Sequence, residues 1–448
     1  MTTDPKPNID GADVGGSLLT LALLAPIVGA GAGLVGAVFR LALQQAENLR
    51  TALVIWAHGK QFPGLLLVAL AGAAAVALAA WLVHRFSPAA SGSGIPQVEA
   101  VLRGGVPEVP FRLIPIKFVG GLLAIGAGLA LGREGPSVQM GANIGDLVGH
   151  LFRRNLPDRR VLLAAGAGAG LATAFNAPIA GAIFVLEELV QRFEPRIAII
   201  ALGVSSTAIA VARIFLGDVP DFHVEALAYS HTGTRPLYFV LGAIAGLFAI
   251  LYNHALLGSI NAANRLEHWP VPLRAALIGA AVGSLAWFAP GLVGGGDAIT
   301  QRTLAGGDAL AIVPLVFLIR FTLGAVSYAA LTPGGLFAPM LVLGAQIGLL
   351  FGILCQLLFP NLHIQPEGFA VVGMAAFFAG VVRAPLTGIV LVVEMTASVN
   401  MLLPILSASF AAMLVPTLLR NAPIYESLGA RPLGAGQLTA SKQDFLRS

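Results

Sequence analysis

Charge is what this sequence has least of. Of 448 residues, 26 are Lys or Arg and 22 are Asp or Glu, together 11%, against about a quarter in a soluble domain. So few charges cannot cover the surface of a soluble protein of this length. Cysteine is nearly missing as well, and the single Cys355 excludes a scaffold held by disulfides. Disorder is excluded from the other side, because 57% of the residues are hydrophobic. The formal net charge of +4 does not point to nucleic acid, since the basic residues are scattered among apolar segments. Their densest cluster, Arg153, Arg154, Arg159 and Arg160, fits an interfacial loop.

What the chain has instead is long stretches with no Asp, Glu, Lys or Arg. They run over Gly15–Phe39, Gln61–His84, Val161–Leu186, Pro236–Asn264, Ala275–Gly296 and Met395–Leu419. Each is near the roughly 20 residues a helix needs to cross a bilayer. Buried helices of a soluble protein would show polar faces at helical spacing, and a β-barrel would alternate; these runs do neither. The first is too long for a cleaved signal peptide and has no basic region before it. The expected fold is an all-α polytopic membrane protein. A tail over 1–15 precedes a transport domain over 16–430, and a short tail follows over 431–448. In the first tail Asp4, Asp10 and Asp13 outnumber Lys6, so charge alone does not orient the chain.

The transport domain divides into halves of about 16–225 and 226–430, because its motifs recur in order. Gly92, Gly94, Leu102, Gly104 and Gly105 return as Gly294, Gly296, Leu304, Gly306 and Gly307. Pro136, Gly141, Ala142, Ile144 and Gly145 return as Pro339, Gly344, Ala345, Ile347 and Gly348, and Lys117-Phe118 as Arg320-Phe321. Ala177-Pro178, Gly181, Val185 and Glu187 return as Ala384-Pro385, Gly388, Val392 and Glu394. The 54 glycines also allow helices to break. A charge-free run of 46 residues, Phe321–Pro366, is interrupted by Leu331-Thr332-Pro333-Gly334-Gly335-Leu336-Phe337-Ala338-Pro339. Irregular backbone at membrane depth survives only where protein or a polar cavity satisfies it. Duplicated halves with broken helices are typical of secondary transporters. The repeat does not by itself say whether the halves are inverted or parallel.

Three breaks offer chemistry. In Gly132-Arg133-Glu134-Gly135-Pro136, a carboxylate lies among apolar segments, where it is expensive and usually functional. Pro136 fits a helix's first turn, so Glu134 is placed as a tethered anion at a helix start. The plainer alternative is an Arg133–Glu134 pair at the membrane surface. Ser91-Gly92-Ser93-Gly94-Ile95-Pro96 supplies a hydroxyl on a tight turn, though taken alone these residues favour a simple loop. In the third break, the backbone N–H groups of Leu336 and Phe337 are candidate donors.

With these motifs the sequence resembles the CLC family of chloride channels and proton-coupled chloride transporters. The resemblance rests on Gly92-Ser93-Gly94-Ile95-Pro96, Gly132-Arg133-Glu134-Gly135-Pro136 and Gly334-Gly335-Leu336-Phe337-Ala338-Pro339. Asn176-Ala177-Pro178 through Glu187-Glu188 and Arg383-Ala384-Pro385-Leu386-Thr387-Gly388 through Glu394-Met395-Thr396 complete it. It spans about 16 to 430 and implies a CLC-type fold with an inverted repeat. By the same resemblance, Ser93 and Tyr425 give hydroxyls, and Leu336 and Phe337 backbone amides, to a chloride ion. Glu134 is then the gating glutamate, and Glu188 the internal proton-transfer residue. Arg133, Gly135 and Lys117 are second in rank; Lys117 either raises the local potential or snorkels. Without the resemblance, Tyr425 reads as an interfacial aromatic anchor.

Glu187 recurs as Glu394 and reads as a scaffold residue, whereas Glu188 faces Met395 and is the unpaired member. A glutamate at 188 makes the resemblance that of an H+/Cl− exchanger, with a family ratio of two chlorides per proton. The alternative is a voltage- or pH-gated chloride channel without strict coupling. By the same resemblance Ser93 implies a preference for chloride over nitrate, and the fluoride-transporting branch of the family departs from these motifs. An intramembrane enzyme finds no support, because the eight histidines show no H-E-x-x-H spacing. No cofactor or metal is expected beyond the transported chloride. The implied setting is a homodimer in a bacterial inner (plasma) membrane, with chloride, protons and lipid as partners. The 23 residues after Tyr425 are too few for paired regulatory nucleotide-binding domains.

Overall fold

The computed structural model describes residues 14–107, 110–224, 227, 232–307 and 310–431. The segment 1–13 and the segment 432–448, with almost all of both expected tails, lie outside it. Among the described residues there is no β-strand, only two isolated bridges, and seven helices are long and apolar enough to cross a membrane. Large apolar side chains stand on the outside, including Leu23 and Leu70 at 68% and Ile214 at 77% exposure. Water would not tolerate such a surface; lipid does.

The first half begins with α1 (Val14–His58), which starts before residue 16 and continues well past the first charge-free run. After α2 (Phe62–Phe86), a 3-10 turn, Pro88–Ala90, leads into the first break. Gly94 at φ 85° then opens α3 (Ile95–Leu102). Next come α4 (Leu113–Gly126), a second break, and α5 (Glu134–Leu151). In α6 (Leu156–Phe175), Asn155 caps the start by accepting the Asp158 N–H. The stretch Val161–Leu186, expected as one span, is two helices. Pro178 cannot continue a helix and disfavours helical backbone at Ala177. Asn176 therefore turns left-handed at φ 51°, and α7 (Pro178–Phe184) starts anew. It runs into a single π turn, Val185–Leu189, before α8 (Pro195–Leu216).

The second half repeats this order. It contains α9 (Arg235–Asn264), α10 (Val271–Phe288) and a 3-10 turn, Pro290–Leu292. Gly296 at φ 102° opens α11 (Asp297–Leu304) as Gly94 opens α3. Then follow α12 (Val313–Tyr328), the third break, and α13 (Phe337–Leu358). The turn between α14 (Pro366–Val382) and α15 (Pro385–Thr396) reproduces Asn176 with Arg383 at φ 72°. The chain closes with α16 (Leu402–Leu418) and α17 (Ile424–Gly429). Two further expected spans are thereby corrected. Ala275–Gly296 stays helical only to Phe288, ahead of Pro290, and Met395–Leu419 contains the junction between α15 and α16.

Helices within each half meet at glycine. A Cβ on Gly141 of α5 would lie 2.2 Å from the Gly166 carbonyl oxygen of α6, and one on Gly344 of α13 would lie 2.5 Å from that of Gly373 in α14. Only glycine permits backbones this close. Between halves, equivalent elements meet each other: α2 packs on α10 and α7 on α15. The equivalent residues Gly132 and Gly335 form an antiparallel bridge, as a two-fold relation requires. Since α5 and α13 start side by side and share few other contacts, their N-termini meet and the helices part from there. This is the geometry of an inverted repeat.

Candidate ion-binding site

The three breaks converge because backbone groups of each satisfy those of another. The Gly132 N–H donates to the Gly335 carbonyl at 2.9 Å, and the Gly335 N–H returns the bond to Gly132 at 2.7 Å. The Gly92 N–H donates to the Thr332 carbonyl, and the Gly334 N–H to the Gly92 carbonyl, each at 3.1 Å. Serine 91 adds a bond from its hydroxyl to the Leu331 carbonyl at 3.0 Å. Irregular backbone thus finds its partners inside the protein, as the low-dielectric setting demands.

Glu134 is fully buried at the first residue of α5. One carboxylate oxygen accepts the Phe337 N–H at 2.6 Å, so the side chain of one helix start caps the other. Its second oxygen has no hydrogen-bond partner. Gly335 makes the seat possible: a Cβ there would lie 2.0 Å from the carboxylate. Gly135 packs closely on Ser93, with a Cβ falling 2.6 Å from the Ser93 carbonyl oxygen. Leu336, also buried, is the residue that precedes α13, and Glu134 is bonded to Phe337 rather than to it.

Two more expected residues belong to the same place. The hydroxyls of Ser93 and Tyr425 are buried and neither has a hydrogen-bond partner. The Ser93 hydroxyl lies 2.8 Å from where a Cβ on Gly135, the neighbour of Glu134, would stand. The Tyr425 ring lies 6.0 Å from that of Phe337, whose other ring neighbours are Phe175, Phe184 and Phe378. Tyr425 is 1% exposed, so it is not an interfacial anchor. Two unspent donors beside a carboxylate cap inside an aromatic wall form a place suited to an anion.

The remaining residues divide. Arg133 does not pair with Glu134 at the surface. Its guanidinium donates to Asp297 at 2.7 Å, to Asp221 at 3.1 Å and to the Ala174 carbonyl at 2.7 Å. Arg40 also pairs with Asp221. Arg40, Arg133 and Asp297 line a cavity of about 230 Å³ that reaches Gly132, and a Cβ on Gly132 would touch the unpartnered oxygen of Glu134. Lys117 does not snorkel. It is wholly buried and donates to the carbonyls of Ala90 and Gly92 at 3.0 and 2.8 Å. Arg320, its repeat partner, does the same for Leu292, Gly294 and Gly295. A charge held by carbonyls on a turn is a structural tie, which explains why both halves keep one.

The paired glutamates tie the halves together. Glu187 accepts the N–H groups of Leu386 and Thr387 and the Thr387 hydroxyl, capping α15. Glu394 accepts those of Ile179 and Ala180, capping α7. Glu188 takes no part in this exchange and lies buried in the π turn, an irregularity that often marks function. The π turn that carries Glu188 packs on α3, which carries the buried Glu99. Sequence reasoning did not single out Glu99, Tyr328, Asp221 or Asp297. Asp297 follows the repeated glycines Gly294 and Gly296, a legible signal; Tyr328 carried none beyond its place just before the third break.

Fold and site together define a polytopic helical membrane protein of the secondary-transporter kind, duplicated and closed around a buried carboxylate. The chain belongs to the voltage gated chloride channel family, whose model matches residues 74–417. The H(+)/Cl(-) exchange transporter ClcA of Vibrio cholerae is 38% identical over 423 residues, 93% of this chain and 90% of that one. The transporter of the same name from Citrobacter koseri is 37% identical, with 93% and 89% covered. Among solved structures, a slow cyanobacterial Cl−/H+ antiporter superposes with a TM-score of 0.88 at 34% identity, over 93% of this chain and 98% of that one. A eukaryotic CLC transporter gives 0.76 at 27% identity, over 92% and 74%.

Proposed function

We propose that this protein exchanges chloride for protons across the membrane, two chlorides against one proton in the family ratio. The observation that carries the reading is the Glu134 carboxylate seated on the Phe337 N–H, with the hydroxyls of Ser93 and Tyr425 unspent beside it. A carboxylate at a helix start occupies a position that suits any anion. Protonation removes its charge and weakens its hold, so the site opens to chloride. Deprotonation restores the competitor. Proton and chloride occupancy are thereby linked.

The donors fit a transported ion. Hydroxyls and amides carry no net charge, so they hold chloride without the trap a facing Lys or Arg would make. The two buried cations near the breaks, Lys117 and Arg320, are turned to carbonyls instead. Glu134 takes its proton from the vestibule beyond Gly132, and Glu188 handles it on the other side. The names of the relatives, H(+)/Cl(-) exchange transporter and Cl−/H+ antiporter, support exchange over conduction. The working form is a homodimer in a bacterial inner membrane.

The test is the reversal potential of reconstituted protein under a combined chloride and pH gradient. Exchange requires it to move with both gradients, and the slope on pH gives the ratio. A potential that follows chloride alone identifies a channel, and vesicles that release no chloride overturn transport itself.

A further inference from the structure

The end of α12 holds both breaks of the first half. The Ser327 hydroxyl accepts the Ala130 N–H at 3.0 Å, and the next residue, Tyr328, accepts the Ser93 N–H on its hydroxyl at 3.3 Å. Tyr328 reaches this far because residue 92 has no side chain: a Cβ on Gly92 would lie 2.9 Å from the hydroxyl. The contact is one-sided, since Tyr328 corresponds at the repeat offset of 203 to Ile125, which has no hydroxyl.

A phenol oxygen that accepts an N–H still has its own proton to give, and among the described residues no acceptor takes it. Ser93, whose N–H it takes, has a buried and unpartnered hydroxyl of its own. Ser93 sits on a turn flanked by Gly92 at φ 62° and Gly94 at φ 85°. Two left-handed glycines leave such a turn free to shift unless something fastens the residue between them. The Gly92 backbone is fastened by Thr332, Gly334 and Lys117. The peptide N–H of Ser93 itself is fastened by Tyr328.

We propose that Tyr328 is a positioning residue of the ion site: by taking the Ser93 N–H it fixes how Ser93 presents its hydroxyl, and so sets chloride affinity and the preference for chloride over flat oxyanions. A sphere needs its donors at one distance. A turn released from Tyr328 spreads them, losing chloride and admitting a planar anion such as nitrate. The inference rests on the exchange reading above.

The experiment is a double-mutant cycle on purified protein, with chloride and nitrate binding measured by calorimetry for wild type, Tyr328→Phe, Ser93→Ala and the double variant. Phe keeps the ring, and Tyr328→Met supplies a second hydroxyl-free side chain should Phe not give monodisperse protein. Tyr328→Phe is expected to weaken chloride binding roughly five-fold, the value of one neutral hydrogen bond, and nitrate binding less. In the Ser93→Ala background the same change is expected to have no further effect, because Tyr328 acts through Ser93. Unchanged chloride affinity in Tyr328→Phe, an equal loss for both anions, or additivity with Ser93→Ala overturns the inference while leaving exchange intact. A wild-type protein that binds no chloride overturns the exchange reading instead.

Discussion

Glu134 and Phe337 occupy the same place in the two halves, 203 positions apart, and they touch: the carboxylate of one accepts the backbone N–H of the other at 2.6 Å. Duplication therefore produced two helix starts facing each other, and divergence gave one of them a charge. The second half supplies the donor and an aromatic wall; the first supplies the competitor for the anion. A symmetric pair would do neither task, because two carboxylates would repel each other and two phenylalanines would leave no titratable group.

Replacing Glu134 by Gln removes the titration while keeping size and polarity. Uphill proton movement driven by a chloride gradient is expected to fall to background in proteoliposomes, with chloride flux retained. Proton pumping that persists assigns the coupling to another group.

Gly335 offers an independent route to the same seat. The carboxylate lies where a Cβ would be, 2.0 Å from it, and the Gly135 nitrogen lies 2.8 Å from the same point. Gly335→Ala is thus expected to expel Glu134 without altering its chemistry. Coupling measured by simultaneous chloride and pH electrodes is expected to loosen, with more chloride moved per proton. A ratio equal to wild type means the carboxylate does not need this seat.

Much of this was legible in the residues. The scarcity of charge defined the membrane class, the motif order defined the duplication, and Glu134 stood out because a carboxylate between apolar runs has few structural excuses. The break at Asn176 was hidden because charge counts do not register it; only Pro178 signals that α6 and α7 are separate. Lys117 and Arg320 were visible as a repeated pair, but their carbonyl partners depend on how the breaks fold back. Tyr328 was the least legible, since its partner Ser93 is 235 residues away and the contact uses a backbone N–H.

Glu188 carries a prediction that separates proton transfer from anion binding. It is buried, it takes no part in the caps made by its neighbour Glu187, and it has no acidic equivalent in the second half. Glu188→Gln is expected to stop proton movement while chloride binding, followed by calorimetry, stays near wild type. Loss of both together points to misfolding and removes the assignment.

The crossed caps of Glu187 and Glu394 predict a stability effect free of ion chemistry. Each carboxylate holds the first N–H groups of a helix in the other half. Such charged bonds are worth about 2 kcal/mol each at most sites. Glu394→Ala is expected to lower the unfolding temperature in detergent and leave the proton-to-chloride ratio intact. A changed ratio with unchanged stability would make Glu394 part of the transport path.

The most direct test of the central claim is anomalous diffraction from crystals grown in bromide, comparing wild type with Glu134→Gln. If carboxylate and halide contend for one seat, wild type shows bromide beside the Ser93 and Tyr425 hydroxyls. The variant then shows an added peak at the Phe337 N–H, where the carboxylate oxygen had been. Bromide at identical positions in both proteins, with none at Phe337 in the variant, contradicts the competition.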